Sequence, residues 1–152
     1  MYELCVVKTS SQVKVTDMST IKSFAFLSFW AFVLFSSCTS RAKFPVSTIA
    51  PAAEISAEKK LTKNNNYDIK VTVDNLAEAS RLNPPKNNYS VWIVTEQGET
   101  KNIGQLSFKN GRRASLNTTT AFNGREIFIT AENQPGLTYP AVVEISRTTF
   151  NK

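Results

Sequence analysis

Tyr67-Asp68-Ile69-Lys70-Val71-Thr72-Val73-Asp74 alternates apolar and polar side chains without a break. A β-strand turns successive side chains to opposite faces. Tyr67, Ile69, Val71 and Val73 are therefore expected against a core, and Asp68, Lys70, Thr72 and Asp74 in water. A weaker strand candidate, Glu54–Thr62, precedes it. Asn64-Asn65-Asn66 lies between them and reads as a turn, because asparagine tolerates positive φ. The two strands make a first hairpin.

Downstream the same grammar repeats. Leu76–Leu82 has room for one helical turn, ended by Asn83-Pro84-Pro85, since proline blocks both a helix and a ladder. Tyr89–Thr95, reading YSVWIVT, is apolar on both sides and is expected to be a central strand. Gln97-Gly98 turns the chain into a strand at Lys101–Phe108. Asn110-Gly111 is a strong hairpin signal. Ala114–Thr119 follows, then a second Asn-Gly at Asn123-Gly124, then Arg125–Glu132 with Ile127, Ile129 and Ala131 on one face. Pro135-Gly136 suits a type II turn. Ala141–Thr148 closes the series, with Val143 and Ile145 inward. About seven short strands with tight turns, and no helix able to cover a sheet, predict an all-β fold of two packed antiparallel sheets. A small barrel is the alternative.

The stretch ahead of this domain has a different character. Phe24–Cys38, FAFLSFWAFVLFSSC, is a short apolar run ending in two small serines and a cysteine. A spanning helix needs roughly 20 apolar residues, more than this run supplies. Met18–Lys22 gives a short n-region with Lys22, whereas residues 1–17 carry Glu3 and Asp17 and fit a signal poorly. Met18 is read as the true start, with residues 1–17 an extension ahead of it and residues 18–37 a signal peptide. The ending resembles the lipobox of bacterial lipoproteins, with Phe35 where leucine is commoner, as in lipoproteins of the Bacteroidetes type. That resemblance implies cleavage after Ser36 and Ser37 and lipid on Cys38. Residues 38–51 read as a polar tether holding the domain, residues 52–152, off the membrane. Thr39 rather than aspartate follows the cysteine, and no acidic patch lies behind it. The sorting pattern this resembles favours the outer membrane, facing the periplasm.

Composition narrows the chemistry. The chain has 152 residues, net charge +6, two cysteines and no histidine. Without histidine there is no Ser-His-Asp or Cys-His arrangement and no His-ligated zinc. With Cys5 removed and Cys38 a thioether, the domain has no disulfide and rests on packing. The basic residues are scattered, with doublets only at Lys59-Lys60 and Arg112-Arg113, so no nucleic-acid partner is expected. Calcium-loop spacing, a Gly-x-Ser-x-Gly elbow and a Gly-rich phosphate loop are absent. Carboxylate pairs are the remaining enzymic option: Glu96 with Glu99 across a turn, and Glu126 with Glu132 at either end of one strand. Such scattered acids ordinarily face solvent, and no enzyme, cofactor or metal is expected.

Tyr89-x-x-Trp92-Ile93-Val94, Gly98, Ile103-Gly104-x-Leu106 and Ile127-x-Ile129-Thr130-Ala131-Glu132 occur in that order, followed by Pro135-Gly136 and Pro140. This series resembles the extracytoplasmic domain of anti-sigma-K factors, and also small Bacteroidetes lipoproteins sharing that domain. The resemblance implies an immunoglobulin-like β-sandwich outside the cytoplasm and carries no catalytic residues. An anti-sigma factor also needs a cytoplasmic helical domain and a spanning helix. Neither is legible here, so sigma-factor regulation does not transfer.

The expected role is a lipid-anchored, non-enzymatic interaction or structural module of the cell envelope. Its partners are the membrane through Cys38 and an envelope protein. The alternative is a glycan-binding module. Trp92 reads first as core and second as a stacking platform for a sugar. Arg112 and Arg113, at a hairpin tip, could touch a partner or lipid headgroups.

Overall fold

In the computed structural model, which describes residues 39–109, 111–141 and 143–150, the 67–74 alternation forms strand β3, Tyr67–Asp74. Ile69, Val71 and Val73 are buried, while Asp68 and Lys70 are exposed and Thr72 and Asp74 half-buried. β2, Glu54–Leu61, pairs antiparallel with β3 along its whole length, and Asn65 takes a positive φ of 57° in the turn between them.

Nine strands form among the described residues. Besides β2 and β3 they are β1 (Thr39–Lys43), β4 (Asn88–Thr95), β5 (Thr100–Gln105), β6 (Ser107–Phe108), β7 (Ala114–Thr120), β8 (Gly124–Glu132) and β9 (Glu144–Thr149). They make two antiparallel sheets, five-stranded in the order β1-β2-β3-β7-β6 and four-stranded in the order β5-β4-β8-β9. The sheets pack as a sandwich around one apolar core. Ile69, Val71 and Val73 contribute to it from β3, Tyr89, Val91 and Ile93 from β4, and Ile127, Ile129 and Ala131 from β8. With no covalent staple expected, burying these faces supplies the main stabilisation, at about 25 cal/mol per Å² of apolar surface. The helical turn expected at 76–82 is a short 3-10 turn, Ala79–Arg81.

The stretch expected as one strand at 101–108 is two strands in different sheets. β5 pairs with β4, and β6 pairs with β7. Between them Leu106 is buried in the core and its N–H donates to the Tyr89 carbonyl at 3.0 Å. Gly104 lies two residues before the crossing, still inside β5. It takes a φ of +134°, and a Cβ there would meet Leu116 Cδ1 at 3.0 Å. Gly104 still pairs with Val91, at the point where the β4–β5 register shifts, and the ladder continues to Gln105 before the chain crosses. Asn123-Gly124 likewise links β7 to β8 across the sandwich. Gly124 is needed there for close approach, since an added Cβ would lie 3.0 Å from Ile93 Cβ.

The expected tether is corrected by the structure. Thr39–Lys43 is an edge strand paired with Ser56–Lys60 of β2. Beyond it Phe44, Ser47 and Ala50 are buried. The Lys43 carbonyl accepts from Thr148 Oγ1 and the Pro45 carbonyl from Ser146 Oγ, both at 3.0 Å, so the segment is fastened to β9 as well as to β2. Its polar composition misleads because an edge strand needs few apolar residues, and Ala42 and Phe44 supply them. Ser36, Ser37 and Cys38, with the rest of the expected signal peptide, lie outside the described residues.

Candidate functional site

Each sheet has one face turned from the core. On the five-stranded sheet, the register sets Arg41, Glu58, Lys70 and Asn117 in one row across β1, β2, β3 and β7. The neighbouring row is Thr39, Lys60, Asp68 and Thr119. Arg41 Nε lies 3.0 Å from Glu58 Oε1, and Thr119 Oγ1 donates to Asp68 Oδ1 at 2.6 Å. Two shallow depressions of about 470 and about 630 Å³ cross this face and share Arg41, Glu58 and Lys70. No aromatic residue lines either one. The face is open, polar and mixed in charge.

The outer face of the four-stranded sheet is sealed. Trp92 and Val94 of β4 and Phe128 of β8 form a second apolar cluster, with Leu137 packed on it from the loop after β8. Trp92 is 0% exposed and stacks on Phe128, with ring centroids 6.2 Å apart and planes 13° from parallel. Its Nε1–H donates to Thr130 Oγ1 at 2.8 Å, and that hydroxyl donates onward to Glu132 Oε1 at 2.5 Å. The same carboxyl oxygen accepts the Ala141 backbone N–H at 2.9 Å, which pins the far end of the loop. Glu132 is fully buried, and its Oε2 has no partner among the described residues. At the cluster's margin the Arg147 guanidinium lies 4.0 Å from the Phe128 ring centroid. It bridges Glu126 at 3.0 Å and Glu144 at 2.7 Å. The hydrogen bonds to Glu144 raise its pKa, burial opposes them, and those to Glu126 add to the rise.

Lys59 joins the two sheets at one end of the sandwich. Its Nζ donates to Asn123 Oδ1 at 2.8 Å and to the Gly124 carbonyl at 2.7 Å. It also lies 5.5 Å from the Tyr67 ring centroid and 4.9 Å from that of Phe150. Burial lowers its pKa, and the Glu96 charge partly restores it. Tyr89, buried on the inner face of β4, donates its hydroxyl to the Ala77 carbonyl at 2.9 Å. Burial pushes its pKa up to about 12.

The residues singled out by sequence are therefore dispersed. Trp92 is interior and offers no ring face to solvent. Arg112 is exposed, and its carbonyl accepts the Leu76 N–H at 3.0 Å. Arg113 is paired with Asp74. Glu126 belongs to the Arg147 network and Glu132 to the sealed cluster at the other end of β8. Glu99 pairs with Lys101 at 3.2 Å, whereas Glu96 accepts from Asn123 at 2.9 Å. Among the described residues no group of three acids, cysteines or histidines could hold a metal ion. Sequence reading missed Lys59, Arg147 and the buried role of Glu132. Only Glu132 carried a signal: it continues the apolar run Ile127–Ala131 in a register where a solvated acid was assumed. Searches against protein families, curated proteins and solved structures found no match to this chain.

Proposed function

We propose that this protein is a lipid-anchored, non-enzymatic β-sandwich of the cell envelope, held by lipid on Cys38 at the outer membrane and facing the periplasm. One observation carries the reading. Thr39, the residue that follows the lipobox-like cysteine, is already paired with Lys60 in the first described strand. A leader removed before Cys38 would leave every described strand in the chain and set the modified cysteine beside β1. The open outer face of the five-stranded sheet is the surface on which it meets a partner protein. Its mixed charges suit a polar protein surface, and the absence of an aromatic platform there disfavours a stacked sugar. The separation of Glu126 from Glu132 supports a non-catalytic role, because acid–base work needs both groups at one substrate.

The finer fold follows the same reading. With β1 set aside, β2-β3-β7-β6 against β5-β4-β8-β9 matches the A-B-E-D and C′-C-F-G strand order of immunoglobulin-like sandwiches. The likeness to anti-sigma-K extracytoplasmic domains rests on this order and on the motif series from Tyr89 to Pro140. In an antibody domain the strand-C tryptophan points into the core. Trp92 instead faces the covering loop.

Metabolic labelling with palmitate tests the anchor. Label should enter the wild-type protein, and Cys38→Ser should abolish labelling and release the protein from the membrane fraction. An unlabelled wild-type protein, or a variant that stays bound, defeats the proposal.

A further inference from the structure

We infer that the end of the sandwich formed by the β2–β3 turn and the β7–β8 link is a bilayer-docking surface for anionic lipid headgroups. The inference rests on lipid at Cys38, and the experiment below separates the two. Consecutive Cα atoms are about 3.8 Å apart. Because Thr39 is already paired with Lys60, a lipid on Cys38 has no flexible spacer between itself and the sheet. The domain end that carries Thr39 must then lie at the headgroups.

The register identifies that end. Thr39 is opposite Lys60, Leu61 is opposite Tyr67, and Tyr67 is opposite Thr120. Leu61 and Phe122 project there, 49% and 45% exposed. Lys60 and Lys63 flank Leu61, are exposed, and form no ion pair among the described residues. Two apolar side chains beside unpaired ammonium groups suit an interface of phosphates over acyl chains. The carboxylates nearby are engaged: Asp68 accepts from Thr119, Glu96 from Asn123, and Glu99 pairs with Lys101. The Lys59 contacts to Asn123 and Gly124 tie the end of β2 to the β7–β8 link.

The test uses the processed, full-length lipoprotein, whose only native thiol is consumed by the lipid. Single cysteines are introduced by Phe122→Cys at this end and Val46→Cys in the loop beyond the opposite end of β1, and each is labelled with bimane. The proteins are reconstituted into phosphatidylethanolamine–phosphatidylglycerol vesicles containing phospholipid with a doxyl group near the headgroup. Quenching should be several-fold stronger at position 122 than at position 46. Lys60→Glu with Lys63→Glu should reduce that ratio while flotation with the vesicles persists. Equal quenching at both positions in a protein that floats overturns the docking surface and leaves the anchor standing. A protein whose Cys38 peptide has the unmodified mass and which does not float overturns both.

Discussion

On the five-stranded sheet, the outward residues of β3, Asp68, Lys70 and Thr72, lie on an open polar face. On the four-stranded sheet, the outward residues of β4, Trp92 and Val94, lie beneath Leu137. Both strands bury an apolar inner face in the same core. They differ in whether a second layer covers the outer one. An uncovered face must be polar because water is its partner. A covered face becomes apolar, and the polar groups it keeps turn to protein partners, as Trp92 Nε1 and Thr130 Oγ1 do, with Glu132 Oε2 the exception among the described residues. The two sheets of one small sandwich thus differ in their outer faces. The four-stranded sheet is packed on both sides, and the five-stranded sheet leaves its outer face open to water.

Trp92→Ala should break the comparison most severely. Removing a buried tryptophan costs about 3–5 kcal/mol and also leaves the Thr130 hydroxyl without its donor. Chemical denaturation with far-UV dichroism would measure the loss; a loss below that of an exposed substitution would mean the face is not sealed. Glu132→Ala comes next. It strands the Thr130 hydroxyl and the Ala141 N–H and should cost about 1–3 kcal/mol. It should also make Trp92 more accessible to acrylamide, since the loop loses its pin. Glu132→Gln keeps an acceptor oxygen for both donors and should cost less than the alanine variant.

Tyr89 sharpens the contrast by pH. Burial holds its folded pKa at about 12, above the ordinary tyrosine value of 10.0. Its contribution is fully present below pH 10 and is lost as the pH rises from there toward 12, because the unfolded chain gives up the proton first. Lys59 acts with the opposite sign. Its folded pKa lies below 10.5, so stability rises with pH between that value and 10.5. The difference between wild-type and Tyr89→Phe unfolding curves cancels the Lys59 effect. That difference should favour the variant increasingly above pH 10, and a flat difference would contradict the burial of the phenol. Lys70→Ala, on the open face, should change stability by no more than about 0.5 kcal/mol. A larger loss would show that this face too is structurally committed.

What could be read from sequence follows the same division. The alternation of 67–74 showed the strand and its inward Ile69, Val71 and Val73 directly, because period two is a local property of the chain, whereas Tyr67, also expected inward, is half-buried at the strand's end. The apolar character of 89–95 on both sides indicated a central strand, but it did not say what covers it. The cover is the loop at Leu137, which lacks periodicity and is held by contacts distant in sequence, among them Asn102 to the Leu137 carbonyl and Asn87 to the Asn133 carbonyl, besides Glu132 to the Ala141 N–H. The sheet change at Leu106 was hidden for a related reason. Residues 101–108 contain no proline or turn pair to mark the crossing, and the partners on either side of Leu106, Ser90 and Ser115, are distant in sequence. β1 was missed because Thr39–Lys43 offers one inward apolar residue, Ala42, where β3 offers three. The Lys59 node was invisible because its partners, Asn123, Gly124 and Phe150, are distant in sequence.

The missed strand bears most on the proposed anchor, since it pairs Thr39, the residue after Cys38, into the sheet. The mass of the N-terminal peptide from protein purified out of the envelope therefore tests the account most directly. The account predicts a chain beginning at Cys38 with an acylated glyceryl thioether on its sulfur. A chain that retains Phe24–Ser37, or one whose Cys38 carries a free thiol, would contradict it.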